Sequence, residues 1–285
     1  MSAGLGGALM RKINFAATVV GLSAVAAALC IAPALAQKHK GADGGNWIEG
    51  VSTGRNLMVD MTYPVSAKFP AWPGDERVFE AKANATVEKD GYFTRSFWML
   101  EHYGTHMDAP AHFPPGKVTI DEIPEQHFFG PAVVIDVREE VGKDADYRLT
   151  VVRVKKWEAE HGEIPRGAIA VLRTGWGSRA ADAARYRNMD ANHVMHFPGY
   201  SVESAKLLIE RGVVGLGIDT LSVDYGGSAN YDVHRVDLPA GLYNLENLAH
   251  TEYLPEEGAY IIAAPIKLEG GSGGPCRVFA VLPPK

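Results

Sequence analysis

The chain has 285 residues, of which 46% are hydrophobic and 22% are charged, and it contains only two cysteines. This composition is typical of a globular protein and excludes a collagen-like, disordered or disulfide-dense chain. The formal net charge of −6 gives no electrostatic reason to expect a nucleic-acid partner.

Residues 1–36 have the pattern of a secretory signal peptide. Two basic residues follow Met10, an apolar run extends to about Ile31, and an A-x-A cleavage motif occupies residues 34–36. A membrane anchor is the alternative, because the apolar run is nearly long enough to span a bilayer. The cleavage motif and the polar stretch after it favour removal, so we predict a periplasmic or secreted protein. Met10 is a candidate for the true translation start.

Cleavage would leave residues 37–285, in which Cys276 is the single cysteine. Without an intrachain disulfide, stability must come from a packed core, a metal or oligomer contacts. Residues 37–56 are polar and rich in glycine, and we predict a flexible arm there. Nothing after residue 36 is long and apolar enough to span a membrane. We therefore expect residues 57–285 to form one soluble domain.

This domain is predicted to be α/β. Short β-branched runs bounded by glycine, proline or charge are typical of buried strands, and two segments have helical periodicity. Ser201 is a suitable helix start and Gly212 a suitable stop. Strands that alternate with helices favour a mixed or parallel sheet covered by helices. In chain order, the predicted elements are strand 93–100, strand 132–137, helix 151–161, strand 168–173, helix 201–211, and strands 213–218, 259–265 and 278–282.

Reactive side chains are densest in residues 101–113. His102, His106, Asp108 and His112 follow one another at spacings of four, two and four. Imidazole nitrogens and carboxylate oxygens are ligands of zinc and manganese. In an extended segment, residues 106 and 108 point to one side. The metalloprotease pattern H-E-x-x-H is absent. Histidines bonded separately to backbone are the alternative, and four donors so close together favour a metal site.

The same segment forms a longer motif, H-x-G-T-H-x-D-x-P-x-H, at residues 102–112. Further motifs are W-P-G-D at 72–75, R-T-G-W at 173–176, G-x-G-x-D-T-x-S-x-D at 215–224, and a pair twelve residues apart, His234 and Glu246. On these residues the chain resembles the cyclase-like metal hydrolases, which include bacterial kynurenine formamidases, isatin hydrolases and related lactone hydrolases. The similarity covers roughly residues 58–282. It implies a single-domain α/β fold of the swivelling β/β/α type with a barrel-like core, and a homodimer or homotetramer.

The resemblance implies a role for each matching donor. His102, His106 and Asp108 would bind one ion, Zn²⁺ or Mn²⁺. Asp108, His234 and Glu246 would bind a second ion, with Asp108 bridging the two. Family members hold either one or two ions, so both arrangements stay open.

Three further side chains flank the predicted metal site. His112 would be the catalytic proton donor and acceptor, and an imidazole, which ordinarily titrates near pH 6.5, suits that role. Trp72, which the W-P-G-D motif assigns to the substrate pocket, and Phe113 could stack on an aromatic substrate. Since family members share N-terminal segments between subunits, Trp72 is also a candidate to complete a neighbour's site. Tyr103 stands where relatives usually have a small residue, and we expect it to crowd or reshape the pocket.

The remaining motifs predict structural roles. Trp98, within strand 93–100, is expected to pack in the core. The glycine-rich segment 270–274 lacks the Lys-Ser/Thr of a phosphate-binding loop and is predicted to be flexible. The two glycines at 215 and 217 are too few for a dinucleotide fingerprint.

Together these features predict an exported metal-dependent hydrolase that opens an amide or cyclic imide C–N bond of a small aromatic substrate. Isatin hydrolase-like and kynurenine formamidase-like activities are both open, and the export signal favours the first, since cytosolic tryptophan catabolism needs no signal. A lactone hydrolase of the same family is one alternative. The other is a non-catalytic periplasmic protein that binds a metal or an aromatic ligand, against which His112 argues. No nucleic-acid partner is expected, and no membrane contact after cleavage.

Overall fold

The computed structural model describes residues 47–284. The predicted signal peptide, residues 1–36, and the first part of the predicted arm, residues 37–46, lie outside them. Among residues 47–284, no helix has both the length and the apolarity needed to cross a bilayer. The strands of this range are β1 Met58–Asp60, β2 Phe79–Ala85, β3 Thr94–Met99, β4 His106–Asp108, β5 Phe129–Asp136, β6 Arg148–Leu149, β7 Ile169–Arg173, β8 Gly199–Tyr200, β9 Gly215–Ile218, β10 Tyr243–Glu246, β11 Tyr260–Pro265 and β12 Gly273–Val281.

Most helices are short. The α-helices in the described range are α1 Trp47–Ser52, α2 Val87–Asp90, α3 Arg138–Val141, α4 Val151–His161, α5 Ala183–Arg187, α6 Val202–Arg211 and α7 His234–Asp237. Single 3₁₀ turns cover Pro110–His112, Glu125–Phe128, Trp176–Arg179 and Thr251–Tyr253.

Seven strands close into a barrel of mixed direction. Their order is β12-β11-β5-β7-β9-β10-β4, and β4 pairs again with β12 to complete the ring. Strands β5, β7, β9 and β10 are mutually parallel, whereas β11, β12 and β4 are antiparallel to their neighbours. Strand β1 adds to the side of β12. The predicted single α/β domain with a mixed, barrel-like sheet is confirmed.

Alternate residues of the barrel strands enter two different cores, because side chains of a strand point to opposite faces in turn. Val134 of β5 and Val171 of β7 are buried inside the barrel. Their neighbours Val133 and Leu172 face outward and belong to a second core, which also contains Leu208 of α6. Full burial of each such side chain contributes roughly 1.5–3 kcal/mol. The predicted strands 132–137 and 168–173 are therefore buried on both faces.

Strand β9 lines the barrel interior with glycine. A Cβ atom at Gly215 would overlap the ring of Tyr243, and one at Gly217 would lie 2.9 Å from Leu248 Cδ1. These two inward positions thus leave room for large side chains of neighbouring segments. The alternate residues, Leu216 and Ile218, pack outside the barrel.

The two long predicted helices are confirmed. In α6 the Ser201 side chain accepts a hydrogen bond from Ser204 N, and the Ser204 hydroxyl accepts one from Ser201 N, so both caps are satisfied. The helix ends at Gly212, whose φ of 76° is the left-handed conformation that glycine adopts easily. Helix α4 is joined to the barrel by Trp157, whose Nε1 donates to Val134 O at 3.0 Å.

Three expectations were wrong, each through a contact that joins distant segments. Residues 47–52 of the predicted arm form α1, and Trp47 stacks on Phe129 at 4.8 Å. Trp98 is not in the core: its side chain is 39% exposed on the two-stranded β2–β3 sheet, beneath the guanidinium of Arg77. The glycine-rich segment 270–274 is not a free loop, because Gly273 begins β12 and pairs with Asp108 of β4.

Candidate active site

The predicted donors lie on the outer face of the barrel, where β4 pairs with β10. Met107 is completely buried in the barrel interior, so its neighbours His106 and Asp108 point outward to a common side. The register pairs Glu246 of β10 with His106, which brings a second carboxylate to this side. Residues 140 positions apart in the chain thus become cross-strand neighbours.

Two imidazole nitrogens and two carboxylates converge here, and we call them the donor ring: His106, Asp108, His234 and Glu246. His106 Nε2 lies 3.2 Å from Asp108 Oδ1 and 3.4 Å from Glu246 Oε2. His234 Nε2 lies 3.3 Å from Asp108 Oδ2 and 3.4 Å from Glu246 Oε1. Ligands placed tetrahedrally at Zn–N and Zn–O bond lengths would be about 3.4 Å apart. Each of these contacts therefore has about the spacing of two ligands of one divalent cation.

His102 extends this arrangement from the loop before β4. Its Nδ1 lies 2.6 Å from Asp108 Oδ1, and the donor atoms of His102, His106 and Asp108 all lie within 4.8 Å of one another. Asp108 thus faces His102 and His106 through Oδ1, and His234 through Oδ2. This placement is compatible with one ion and with two ions bridged by Asp108.

Hydrogen bonds at Nδ1 orient the two histidines of the donor ring. His106 Nδ1–H donates to the Gly104 carbonyl at 2.9 Å, and His234 Nδ1–H donates to Asp224 Oδ2 at 2.6 Å. Acceptors at both Nδ1 atoms leave the Nε2 lone pairs facing the donor ring. Asp224 had no predicted role, although it ends the 215–224 motif, and its place ten residues before His234 was the signal that could have revealed it.

Electrostatics make the site attractive to a cation. Burial lowers the pKa of His106, but its hydrogen bond to Asp108 and the nearby charge of Glu246 outweigh burial and raise it to about 9. Burial raises the pKa of Asp108, and the adjacent His102 and His106 reverse this and hold it well below its ordinary value. The negative charge of these carboxylates keeps a proton on the buried imidazole. The same charge would attract a divalent cation in place of that proton.

His112 lies beside the donor ring on the 3₁₀ turn Pro110–His112. Its ring stacks on His102 at 3.9 Å, and its centroid is 6.0 Å from that of His234. Burial lowers the pKa of His112 and the neighbouring histidines add to the effect, so that the pKa falls to about 4 although the charge of Asp108 opposes the shift. The imidazole is therefore neutral at neutral pH and can accept a proton. A nitrogen of His112 also lies within 4.8 Å of donor atoms of Asp108 and His234.

A cavity of about 720 Å³ opens above the donor ring. Its walls are aromatic: Trp72 lies 5.9 Å from Tyr231, and Phe113 lies 5.5 Å from the same ring. Trp72 thus lines the pocket of its own chain. The cavity brings together all eight residues singled out in the sequence: Trp72, His102, His106, Asp108, His112, Phe113, His234 and Glu246.

Tyr103 also lines this cavity, and its position explains how the larger residue is accommodated. The side chain is buried, and its hydroxyl donates to the carbonyls of Ser66 and Phe69 at 2.8 and 2.9 Å. The ring is therefore held as part of the wall and ties the segment before Trp72 to the loop that carries His102.

Helix α7 contributes two charged residues that were not predicted. Arg235 is exposed at the cavity wall, with its guanidinium 5.5 Å from the ring of Phe113. Asp237 follows His234 by one helical turn and is completely buried. Burial raises the pKa of Asp237 to about 7, while the charge of His234 opposes the shift. No periodic pattern in this four-residue helix could have revealed either residue.

Several proteins of known name are similar to this chain. The family model described as "Putative cyclase" matches residues 59–225. Isatin hydrolase of Roseibium aggregatum is 37% identical over 206 residues, which cover 69% of this chain and 78% of that protein. Kynurenine formamidase of Paracidovorax citrulli is 28% identical over 234 residues, which cover 80% and 97%. The solved structure of isatin hydrolase A from Labrenzia aggregata bound to benzyl benzoate superposes with a TM-score of 0.78 at 34% identity, over 85% of this chain and 100% of that one.

Proposed function

Because the chain belongs to the cyclase family, we propose that it is an exported metal-dependent hydrolase that opens a small cyclic aromatic amide of the isatin type. It is an enzyme of non-peptide C–N bonds, as its isatin hydrolase and kynurenine formamidase relatives are by name. The observation that carries the proposal is the donor ring at the floor of an aromatic cavity. The higher identity to isatin hydrolase, 37% against 28%, favours a cyclic amide over an arylformamide.

Hydrolysis adds the elements of water across the C–N bond, with hydroxyl going to the carbonyl carbon and hydrogen to the nitrogen. A bound divalent cation supplies Lewis acidity, since it polarises a carbonyl and lowers the pKa of water to about 7. His112, neutral at neutral pH, accepts the proton as the C–O bond forms. It then returns this proton to the nitrogen as the C–N bond breaks. The ring-opened product carries an amine and a carboxylic acid, which loses its proton to solvent at neutral pH.

The aromatic walls orient the substrate. Trp72, Phe113 and Tyr231 form an apolar slot in which a planar bicyclic ring can stack, and offset or edge-to-face ring contacts favour such binding. A stacked ring would hold its carbonyl toward the donor ring below. The mixed nitrogen and oxygen donors suit Zn²⁺ or Mn²⁺.

The substrate class is tested with residues 37–285 purified in Zn²⁺ or Mn²⁺ and assayed with isatin, N-formylkynurenine and a dienelactone. We expect the highest kcat/KM with isatin. Preference for N-formylkynurenine would make the protein an arylformamidase, and preference for the lactone would make it a lactone hydrolase. Tight metal binding without turnover of any of the three would identify a binding protein instead.

We also propose a homodimer or homotetramer that covers the β2–β3 hairpin. The register places Phe79, Ala81, Phe97 and Met99 on one face, and Phe97 is 60% exposed. A two-stranded sheet is only marginally stable alone, and exposed apolar surface often marks an interface. Light scattering should give a mass above one chain for the wild type and a lower mass for Phe97→Glu. Val152→Glu, at a 76% exposed helix position, is the control. A monomeric wild type would refute the proposal.

Export rests on the sequence pattern of residues 1–36. Expression in a Gram-negative host should yield periplasmic protein that begins at Gln37, as read by N-terminal sequencing. An intact N-terminus in the membrane fraction would support the anchor alternative.

A further inference from the structure

The glycine-rich segment 270–274, which the proposed function does not use, contacts His102 on the side opposite Asp108. His102 Nε2 lies 2.9 Å from Ser272 Oγ, while Nδ1 faces Asp108. We propose that Ser272 and Glu101 are positioning residues that hold His102 by Nε2–H and direct its Nδ1 to Asp108 and the donor ring. The inference rests on the proposed function, in which His102 is a donor to the cation.

Glu101 holds Ser272 in place by hydrogen bonds. Its Oε2 accepts from the Ser272 hydroxyl at 2.9 Å, from Ser272 N at 2.9 Å and from Gly273 N at 3.3 Å. Three donors on one oxygen hold the serine side chain and backbone together. A chain of hydrogen bonds therefore runs from Glu101 through Ser272 and His102 to Asp108.

The direction of these hydrogen bonds follows from the carboxylate of Glu101, at which they begin. An ionised carboxylate can only accept a hydrogen bond, so the Ser272 hydroxyl donates its hydrogen bond to Glu101. The serine oxygen is then free to accept from Nε2–H of His102. Nε2 is thereby held by Ser272, while Nδ1, 2.6 Å from Asp108 Oδ1, is the nitrogen that faces the donor ring. Partners of this kind orient metal ligands and fix their tautomers.

Glycine at 273 is required by the same contact. A Cβ atom there would lie 2.5 Å from His102 Cε1 and 2.6 Å from Met107 O. The segment is also tied to the end of β4, because Ala109 N donates to Ser272 O at 2.9 Å. The pairing of β12 with β4 thus brings Ser272 to a histidine 170 positions earlier in the chain.

Zinc affinity tests the proposal. The metal-free full-length mature chain is titrated against a chelator of known affinity, and its melting temperature is measured without metal. Ser272→Ala and Glu101→Ala should weaken zinc binding by about 10–100-fold, with the metal-free melting temperature nearly unchanged. Glu101→Gln keeps an acceptor oxygen and should restore most of the affinity. Ser178→Ala is the matched control, because Ser178 is exposed and its hydroxyl donates only to Gly175 O.

Wild-type zinc affinity in Ser272→Ala would overturn the proposal, and so would a Glu101→Gln variant as weak as Glu101→Ala. If Ser272→Ala does not fold, the two Glu101 variants decide. The ¹⁵N chemical shifts of the His102 ring report the tautomer without metal or activity. They should show a proton on Nε2 in the wild type, and an unprotonated Nε2 would contradict the proposal. A wild type that binds neither zinc nor manganese would refute the proposed function, while the ¹⁵N shifts still test the contact between Nε2 and Ser272.

Discussion

The buried carboxyl of Asp237 should make the stability of the metal-free protein depend on pH, and Asp237→Asn should remove that dependence. Asp237 is completely buried, and Leu238 N donates to its Oδ1 at 2.6 Å. With its amide oriented to donate, Asn244 reaches the other oxygen at 2.7 Å. If Asp237 is protonated, or replaced by asparagine, the Asn244 amide can turn and accept instead. The substitution therefore preserves the hydrogen bonds of the neutral state.

The size of the effect follows from the pKa. Burial raises the pKa of Asp237 from 3.8 to about 7, and each unit corresponds to about 1.36 kcal/mol. The folded state binds this proton more tightly than the unfolded state, so the stabilisation is complete below pH 3.8 and is lost as the pH rises to about 7. The total loss is about 4 kcal/mol, of which about 2 kcal/mol falls between pH 5.5 and pH 7.

Urea denaturation of both proteins with a chelator present measures this difference. From about pH 5.5 to about pH 8.5, the unfolding free energy of Asp237→Asn relative to wild type should rise by about 2 kcal/mol. The other titrating groups are common to both proteins and cancel in the comparison. Parallel pH profiles for wild type and variant would refute the reasoning, since they would mean that Asp237 ionises alike in the folded and unfolded states.

Three further substitutions test the site and the barrel. His106→Ala should lose bound metal and activity together, as read by metal analysis and turnover, and a metal-replete active variant would contradict its ligand role. His112→Ala should keep its metal and lose ~10²–10⁴-fold in kcat, whereas loss of metal would identify a ligand. Gly215→Ala would drive a methyl group into the Tyr243 ring and should lower the unfolding free energy by about 1–3 kcal/mol. Gly142→Ala, in helical backbone with its nearest atoms at 3.4 Å, is the control and should change little.

The buried strands and the two long helices could be predicted from the sequence because their patterns are local. Strand 132–137 has a continuous apolar run, and helix 201–211 has its own cap and stop residues. Strands β4 and β10 could not be predicted, since three or four residues carry no periodicity and form strands only through their partners. Closure of the barrel by β4 and β12 is likewise invisible in a local window.

The same division applies to the site. His102, His106, Asp108 and His112 were visible as a cluster because they are neighbours in the chain. Their supporting residues, Ser272 and Asp224 among them, are brought in by strand pairing and by the turn into α7. Segment 270–274 was interpreted as flexible because glycine is permissive in isolation. In the folded protein the glycine at 273 instead leaves space for an imidazole ring.

Strand β4 is the shortest strand of the barrel, and two of its three residues belong to the donor ring. A cation held by His106 and Asp108 of β4 together with Glu246 of β10 would clasp the seam between these two strands. Ligand that binds only the closed form stabilises it by mass action, by about 2.7 kcal/mol at 100 times its dissociation constant. Metal supply would then govern how often the barrel opens at this seam, so that a chain deprived of metal is first exposed to proteases at the strand that builds its active site.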